Sequence, residues 1–179
     1  MGKKSDEKSL CNIRRKAMIK IKKNSKMKYL NSKILNDNIK YNDLLKDIKL
    51  IKIKDSIIVD QNLDIKKAND FYDKSLNLLG GKIGYETSRN EIFISAYMSS
   101  KMTVQDGIYI AVDLVKILDK KIRMINPDIS ECYILSVDED SGNIYLTFHE
   151  IINGELWVDS NLENYRQPIA VFISNIHMV

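Results

Sequence analysis

The sequence predicts an α+β fold, an antiparallel β-sheet with one long helix packed on a face, preceded by a basic α/β N-terminal segment. Three patterns support this prediction. Apolar residues recur at helical spacing from 108 to 125, two alternating segments flank a polar turn at 138–142, and another apolar strand pattern lies at 168–174. A long amphipathic helix among several short strands is typical of a two-layer sandwich.

Charge divides the chain into two parts. The net charge of the 179 residues is +4, but residues 1–82 hold 21 Lys and Arg against 10 Asp and Glu, a net +11. Residues 83–179 hold 7 against 14, a net −7. The glycine cluster LLGGKIG at 78–84 suggests the boundary between a basic N-terminal segment, 1–82, and an acidic α+β domain, 83–179. We expect the acidic domain to fold alone.

The beginning of the basic segment has little apolar periodicity. Residues 1–24 are dense in Lys and Arg, which predicts disorder or a marginal helix. Weak helical spacing runs from 25 to 35, and a short helical turn is predicted at 41–46.

Clearer elements follow from residue 48. Residues 48–60 alternate and break at Asp55-Ser56, which predicts one strand or two strands joined by a tight turn. Asp64 can cap a helix that Gly80 and Gly81 end.

In the acidic domain, a mostly buried strand is predicted at 90–98. Thr103 and Asp106 have the spacing of a capping box at the start of the long helix, and Asn126-Pro127 ends it. ECYILSV and NIYLTFHE then form a β-hairpin around DEDSG.

Three shorter elements complete the domain. The pattern of ELWV at 155–158 predicts a short strand. Ser160 and Glu163 have the spacing of a capping box that opens a short helical turn, and residues 168–174 are predicted to form the last strand.

Composition excludes several classes of protein. The apolar runs are too short to span a bilayer, and the N-terminus lacks the apolar stretch of a signal peptide. Cys11 and Cys132 are too few for a disulfide framework and lack metal-ligand spacing. We therefore expect a cytoplasmic protein without a metal or another cofactor.

No catalytic pattern is convincing. Asp138, Asp140 and Gly142 resemble the start of an EF-hand loop, but the later loop positions do not match, and a strand follows where a helix is needed. His149 is the best candidate for proton transfer. Glu150 projects from the opposite sheet face and cannot easily orient it, so a structural or interface histidine is favoured.

Acidic residues surround the single tryptophan of the chain. Trp157 is either a core residue or an exposed interface anchor, since aromatic anchors ringed by polar residues are typical of protein interfaces. We expect two acidic loops to meet beside it and to attract a basic partner. The predicted partner-binding residues are Asp138, Glu139, Asp140, Glu155, Trp157, Asp159 and Glu163.

Residues 85–175 resemble a known class of proteins. The segments NEIFISAYM, DGIYIAVDLVKILDKKI, YILSVDEDSGNIYLTFH and GELWVDSNLENYRQPIAVF are similar to the small α+β immunity proteins encoded beside bacterial polymorphic and contact-dependent toxins. The resemblance implies a non-enzymatic inhibitor that occludes the active site or substrate groove of a cognate toxin. An acidic face that mimics nucleic acid would suit a toxin with a basic nuclease domain.

Two other functions remain open. Residues 1–54 are rich in Lys and Arg and could bind nucleic acid through its phosphates, because Tyr29 and Tyr41 are too sparse for base stacking. The third hypothesis is a small hydrolase centred on His149.

Overall fold

The computed structural model describes residues 16–28, 30 and 48–177, and within them the fold is α+β, as predicted. The strands are β1 (Lys16–Lys23), β2 (Leu50–Ile53), β3 (Ser56–Val59), β4 (Ile92–Phe93), β5 (Glu131–Val137), β6 (Ile144–Glu150) and β7 (Ile169–His177). The helices are α1 (Ile65–Leu79), α2 (Lys82–Arg89) and α3 (Val104–Ile125), with 3-10 turns at Ile94–Tyr97 and Leu162–Asn164. A five-stranded antiparallel sheet has the order β1-β7-β5-β6-β4, and β2 and β3 form a separate hairpin.

The first strand corrects the prediction of disorder or a marginal helix for residues 16–23. β1 pairs with β7 from Lys16 opposite His177 to Lys23 opposite Ala170. Ile19 and Ile21 pack on the main core, whereas the intervening Lys20 and Lys22 are exposed. The alternation of a strand is therefore present, although the many lysines obscure it. Residues 1–15, and most of the helical spacing predicted between 25 and 46, lie outside the described residues.

The long helix packs on one face of the main sheet. Its capping box is complete, because the Thr103 hydroxyl accepts from the Asp106 N–H and the Asp106 carboxylate accepts from the Thr103 N–H. One side of α3 buries Ile108, Leu114, Leu118 and other apolar side chains against Phe148 and its neighbours on the sheet. Each of these large aliphatic side chains contributes roughly 1.5–3 kcal/mol through burial. The predicted helix and its N-terminal cap are confirmed.

The segment that follows β6 covers the other face of the sheet. Leu156, Val158 and Leu162 pack on Cys132 and Val171 there. The strand predicted at 155–158 is absent, because only an isolated bridge joins Ile152 to Glu155 across a turn in which Asn153 and Gly154 have positive φ.

Two further expectations for short elements change, and one predicted pair of alternatives is resolved. The strand predicted at 90–98 shrinks to the two residues of β4, since the chain turns into a 3-10 helix at Ile94. Residues 48–60 form two strands, with a turn in which Lys54 has a φ of 52°. The helical turn near Glu163 is capped by the Asn161 side chain and not by Ser160.

The glycine cluster builds a corner between two helices. Gly80 has a φ of 76° and donates its N–H to the Leu76 carbonyl, which ends α1 as predicted. Gly81 has a φ of 95° and precedes α2, a helix that the sequence analysis missed. A Cβ on Gly84 would lie 1.7 Å from the Leu79 carbonyl oxygen, so only glycine permits this tight corner.

Residues on both sides of the predicted boundary at position 82 share one sheet and one apolar core. β1 belongs to the main sheet, and Ile57 and Val59 of β3 belong to the same core cluster as α3. Residues 1–82 and 83–179 thus differ in charge, but the described part of the first segment contributes both hydrogen bonds and apolar surface to the second.

Asn90 joins the β2–β3 hairpin to the main sheet. Its fully buried amide accepts from the Val59 N–H at 2.9 Å and donates to the carbonyls of Ile57 at 3.0 Å and Phe148 at 3.1 Å. Because these partners lie on β3 and β6, the Asn90 side chain links the backbones of the two sheets through hydrogen bonds.

Candidate partner-binding surfaces

The loop between β5 and β6 is an ordered acidic turn. The Asp138 carboxylate accepts from the Ser141 N–H and hydroxyl, both at 2.7 Å, and from the Asp140 N–H at 3.1 Å. These hydrogen bonds, led by the one from the Ser141 backbone, hold the pKa of Asp138 below its usual value. Gly142 has a φ of 70°, and the segment is the hairpin turn that the sequence predicts.

Aromatic side chains lie next to this turn. Tyr145 lines a surface pocket of about 480 Å³ with Asp138, Glu139 and Asp140, all three of which are exposed. The Tyr145 ring stacks on Phe93 with centroids 5.3 Å apart, and Phe93 is 42% exposed. We call these five residues the hairpin surface. Neither aromatic residue was predicted from the sequence to belong to the site, because only the pairing of β4 with β6 brings them together.

Part of the basic segment contacts the acidic residues. The Ser25 N–H and hydroxyl donate to the Glu163 carboxylate at 2.7 and 2.8 Å, so Glu163 fixes the turn after β1. Lys26 lies 3.7 Å from Glu139, with both side chains about half exposed, and such a pair contributes little to stability. Glu139 therefore remains available to a partner, whereas Glu163 has a structural contact.

The predicted acidic residues do not form one rim. Asp138, Glu139 and Asp140 precede β6, whereas Glu155 and Asp159 follow it. The seven residues of β6 separate the two groups, at about 3.4 Å per residue. Glu155 therefore begins its loop at the end of β6 opposite the hairpin turn, but the same loop returns to that turn, since Glu163 contacts Ser25 and Glu139 lies near the adjacent Lys26. The single rim expected around Trp157 does not include Glu155 together with the hairpin turn, whereas Glu163 does lie near that turn.

Trp157 is exposed, and both its backbone and its ring contact neighbouring residues. Its side chain is 52% exposed, and its backbone N–H donates to Nε2 of His149 at 3.3 Å. The indole edge lies 3.3 Å from the position that a Cβ on Gly84 would occupy. Glu155 and Asp159 on either side of it in the chain are also exposed. Of the two alternatives for Trp157, the core reading is excluded.

His149 is a buried structural histidine. Its Nδ1 lies 2.8 Å from the Glu150 carbonyl oxygen, and its Nε2 faces the Trp157 N–H, so the neutral ring with the proton on Nδ1 satisfies both contacts. Burial lowers the pKa of His149, which favours this neutral form. With both ring nitrogens occupied, His149 offers no support for the hydrolase hypothesis.

Several carboxylates surround Lys82 at the start of α2. Lys82 bridges Glu150, Glu86 at 3.7 Å and Asp55 at 3.9 Å, and Glu86 also accepts from the Glu150 N–H at 2.7 Å. Glu131 lies opposite Glu150 on the neighbouring strand, and its buried Oε2 has no hydrogen-bond partner. Burial, followed by the charges of Glu86 and Glu150, raises the pKa of Glu131 well above its usual range. Glu86 and Glu131 are buried, and Lys82 links Glu86 to the exposed Asp55, so these residues belong to the packing of the fold. None of them was predicted from the sequence to have a functional role.

Within the described residues, no three His, Cys, Asp or Glu side chains are grouped to hold a metal ion. None of the described helices combines the length and the apolar composition that a membrane span requires.

Comparison with curated proteins and with solved structures gives no match for this chain. One family model, described as the uncharacterized protein PM0498 family, matches residues 22–178. This range covers all the helices named above, strands β2 to β7 and the last two residues of β1, so the chain belongs to the uncharacterized protein PM0498 family.

Proposed function

We propose that this protein is a non-enzymatic, cytoplasmic immunity protein that binds a basic protein toxin and blocks it through the hairpin surface. The observation that carries this proposal is the exposed, hydrogen-bonded turn at Asp138–Asp140 beside the stacked pair of Phe93 and Tyr145. Exposed carboxylates next to an exposed aromatic ring combine the two chemical features that a basic protein partner requires.

The two parts of the hairpin surface have different tasks in this proposal. Glu139 and Asp140 lie at the exposed rim, so their charges accelerate the approach of a basic partner and matter less once it is bound. Phe93 supplies apolar area on a supported ring, which lengthens the lifetime of the complex. If the toxin is a nuclease domain, the carboxylates occupy positions that phosphates would take.

The test uses the product of the gene adjacent to this one as the candidate toxin. Protection of growth during co-expression and surface plasmon resonance of the two purified proteins give independent readouts. We expect Glu139→Lys with Asp140→Lys to lower the association rate about tenfold or more and to weaken its salt dependence. Phe93→Ala should mainly accelerate dissociation, at a cost of about 1–2 kcal/mol. Asp138 is left intact because it holds the turn together.

Glu155→Lys with Asp159→Asn is the matched control, since it removes exposed acidic charge at the other end of β6. Normal binding by the hairpin variants together with loss of binding by this control would place the contact elsewhere. If the adjacent product neither binds nor inhibits growth, the immunity function is refuted.

β1 offers a specific observation for the alternative, nucleic-acid binding. Lys20 and Lys22 are both exposed on the edge strand of the sheet, and their alternate positions place them on one face. Their charges suit phosphates without base recognition. Lys20→Glu with Lys22→Glu should then weaken binding to a single-stranded oligonucleotide in fluorescence anisotropy and reduce the salt dependence by about two ionic contacts. Equal anisotropy curves for variant and unaltered protein would exclude this surface.

A further inference from the structure

Three large apolar side chains that do not belong to the hairpin surface are exposed on adjoining elements. Phe71 and Leu78 of α1 are 58% and 75% exposed, and Trp157 is 52% exposed. We call these three residues the α1–Trp157 face. Exposed apolar side chains that cluster in this way indicate a protein interface, whereas isolated ones are ordinary.

The pattern of α1 shows that its apolar stripe is wider than its contact with the protein. Tyr72 and Leu79 pack inward in an apolar cluster with Ile53 and Ile58 of the β2–β3 hairpin. Phe71 and Leu78 are seven residues apart, so they lie together on a neighbouring side of the helix. Phe71 also lines a groove of about 350 Å³ with Arg89 of α2. One side of the stripe is thus packed, and the adjacent side is bare.

The tight corner between α1 and α2 connects this stripe to the tryptophan. The Leu79 carbonyl and the Trp157 indole both approach the same side of Gly84. Leu78, next to Leu79 in the chain, is therefore at the end of α1 that lies towards Trp157, whereas Phe71 is about two turns further away. The backbone of Trp157 is held by His149, so this end of the face is ordered without a partner.

The α1 part and the Trp157 part of the face carry charges of opposite sign. Lys67 and Lys74 follow the same side of α1 as Phe71 and Leu78, and both are exposed. Lys67 has only a long contact of 3.9 Å with the exposed Asp64. At the other end, Glu155 and Asp159 flank Trp157. The lysines thus accompany the apolar residues of α1, and the carboxylates accompany Trp157, so the α1 part of the face is basic and the Trp157 part is acidic.

We propose that the α1–Trp157 face binds a second copy of this chain in a two-fold symmetric dimer. A two-fold axis near Leu78 places the basic α1 end of one copy against the acidic Trp157 end of the other, and both contacts form at once. A surface with this order of charges is complementary to itself, which is the requirement of such an interface. The dimer leaves the hairpin surface free, so this proposal and the proposed function stand or fall separately.

The first test is the mass of the full chain in solution. We expect sedimentation equilibrium at about 100 μM to give twice the monomer mass of 20.7 kDa. Leu78→Glu places a charge within the face and should weaken the association at least a hundredfold, while Trp157→Ala should weaken it at least tenfold. Both side chains are largely exposed, so circular dichroism should show an unchanged fold. Met124→Glu is the control, because Met124 is 79% exposed on α3 and lies outside the face.

The second test exploits the charges. Lys67→Glu with Lys74→Glu makes both ends of the face acidic, whereas Glu155→Lys with Asp159→Asn makes both ends basic or neutral. Asparagine at position 159 keeps an acceptor for the Asn161 N–H. We expect each variant alone to be monomeric and an equimolar mixture to form a one-to-one dimer.

Several results would overturn the proposal. A monomeric unaltered chain would mean that the face is bare or that a different protein covers it. A dimer that survives Leu78→Glu, or that Met124→Glu dissociates, would use another surface. Failure of the two charge variants to associate when mixed would refute the two-fold arrangement.

Discussion

We expect a small chemical change at the Asn90 side chain to lower the stability of the fold strongly. Replacement by leucine keeps the approximate size but removes the three hydrogen bonds to Val59, Ile57 and Phe148. One N–H and two carbonyls then remain buried without partners, at about 1–3 kcal/mol each. We expect Asn90→Leu to lower the free energy of unfolding by about 3–9 kcal/mol, a large part of the 5–15 kcal/mol typical of a folded domain.

Asn90→Asp provides a sharper test because it has nearly the same shape. A carboxylate still accepts from Val59 but turns an anion towards the two carbonyls, so at pH 7 it should destabilise about as much as leucine. Burial raises the folded-state pKa of the introduced carboxyl above its unfolded value of about 3.9. Its contribution to stability is therefore greatest at low pH and is lost as the pH rises through the folded-state pKa.

Urea denaturation at pH 5 and pH 7 measures both effects. Subtracting the values for Asn90→Leu removes the pH dependence of the remaining groups. We expect Asn90→Asp to recover about 1–2 kcal/mol relative to Asn90→Leu at the lower pH, since the protonated carboxyl regains one donor. Parallel pH curves for the two variants, or a loss below 1 kcal/mol in both, would show that Asn90 does not join the hairpin to the sheet.

Three further predictions concern buried groups. Glu131→Gln should stabilise the protein at pH 7 and flatten its pH profile in thermal unfolding, because the raised pKa of Glu131 makes its contribution decline as the pH rises above 4.5; an unchanged profile would contradict this. The lowered pKa of His149 acts in the opposite direction, so stability should fall as the pH drops below 6.5, and His149→Gln should remove that slope while costing about 1–3 kcal/mol. Gly84→Ala should cost about 2 kcal/mol or more in urea denaturation, because its Cβ meets the Leu79 carbonyl, whereas the exposed Ser88→Ala in the same helix should cost under 1 kcal/mol.

Elements with strong local signals could be predicted from the sequence. α3 has a capping box, long helical periodicity and an Asn-Pro end, and all of them lie within one continuous stretch. α1 has Asp64 as a side-chain cap and Gly80 as a left-handed stop. The β5–β6 hairpin follows from alternation on both sides of a polar turn. In each case, neighbouring residues determine the structure.

The rest depends on contacts between distant residues. α2 is short and polar, and Glu86 and Asn90 are buried only because the edge of β6 lies beside them. The stacking of Phe93 on Tyr145 depends on the pairing of β4 with β6, which no local pattern specifies. The acidic residues of the candidate site were identified as exposed, but the separation of Glu155 from the hairpin turn along β6 and the return of Glu163 beside that turn required the topology of the chain.

The pairing of β1 with β7 determines the order in which the protein can assemble. Asn24, just after β1, donates to the Gln167 carbonyl 143 residues further along the chain. During synthesis, the β5–β6 hairpin can form locally, whereas β1 must wait until β7 has left the ribosome. Until then Ile19 and Ile21 remain in water, and the neighbouring lysines help to keep that strand from aggregating. Closure of the sheet is therefore a late step of folding, and it follows translation of the chain through residue 177.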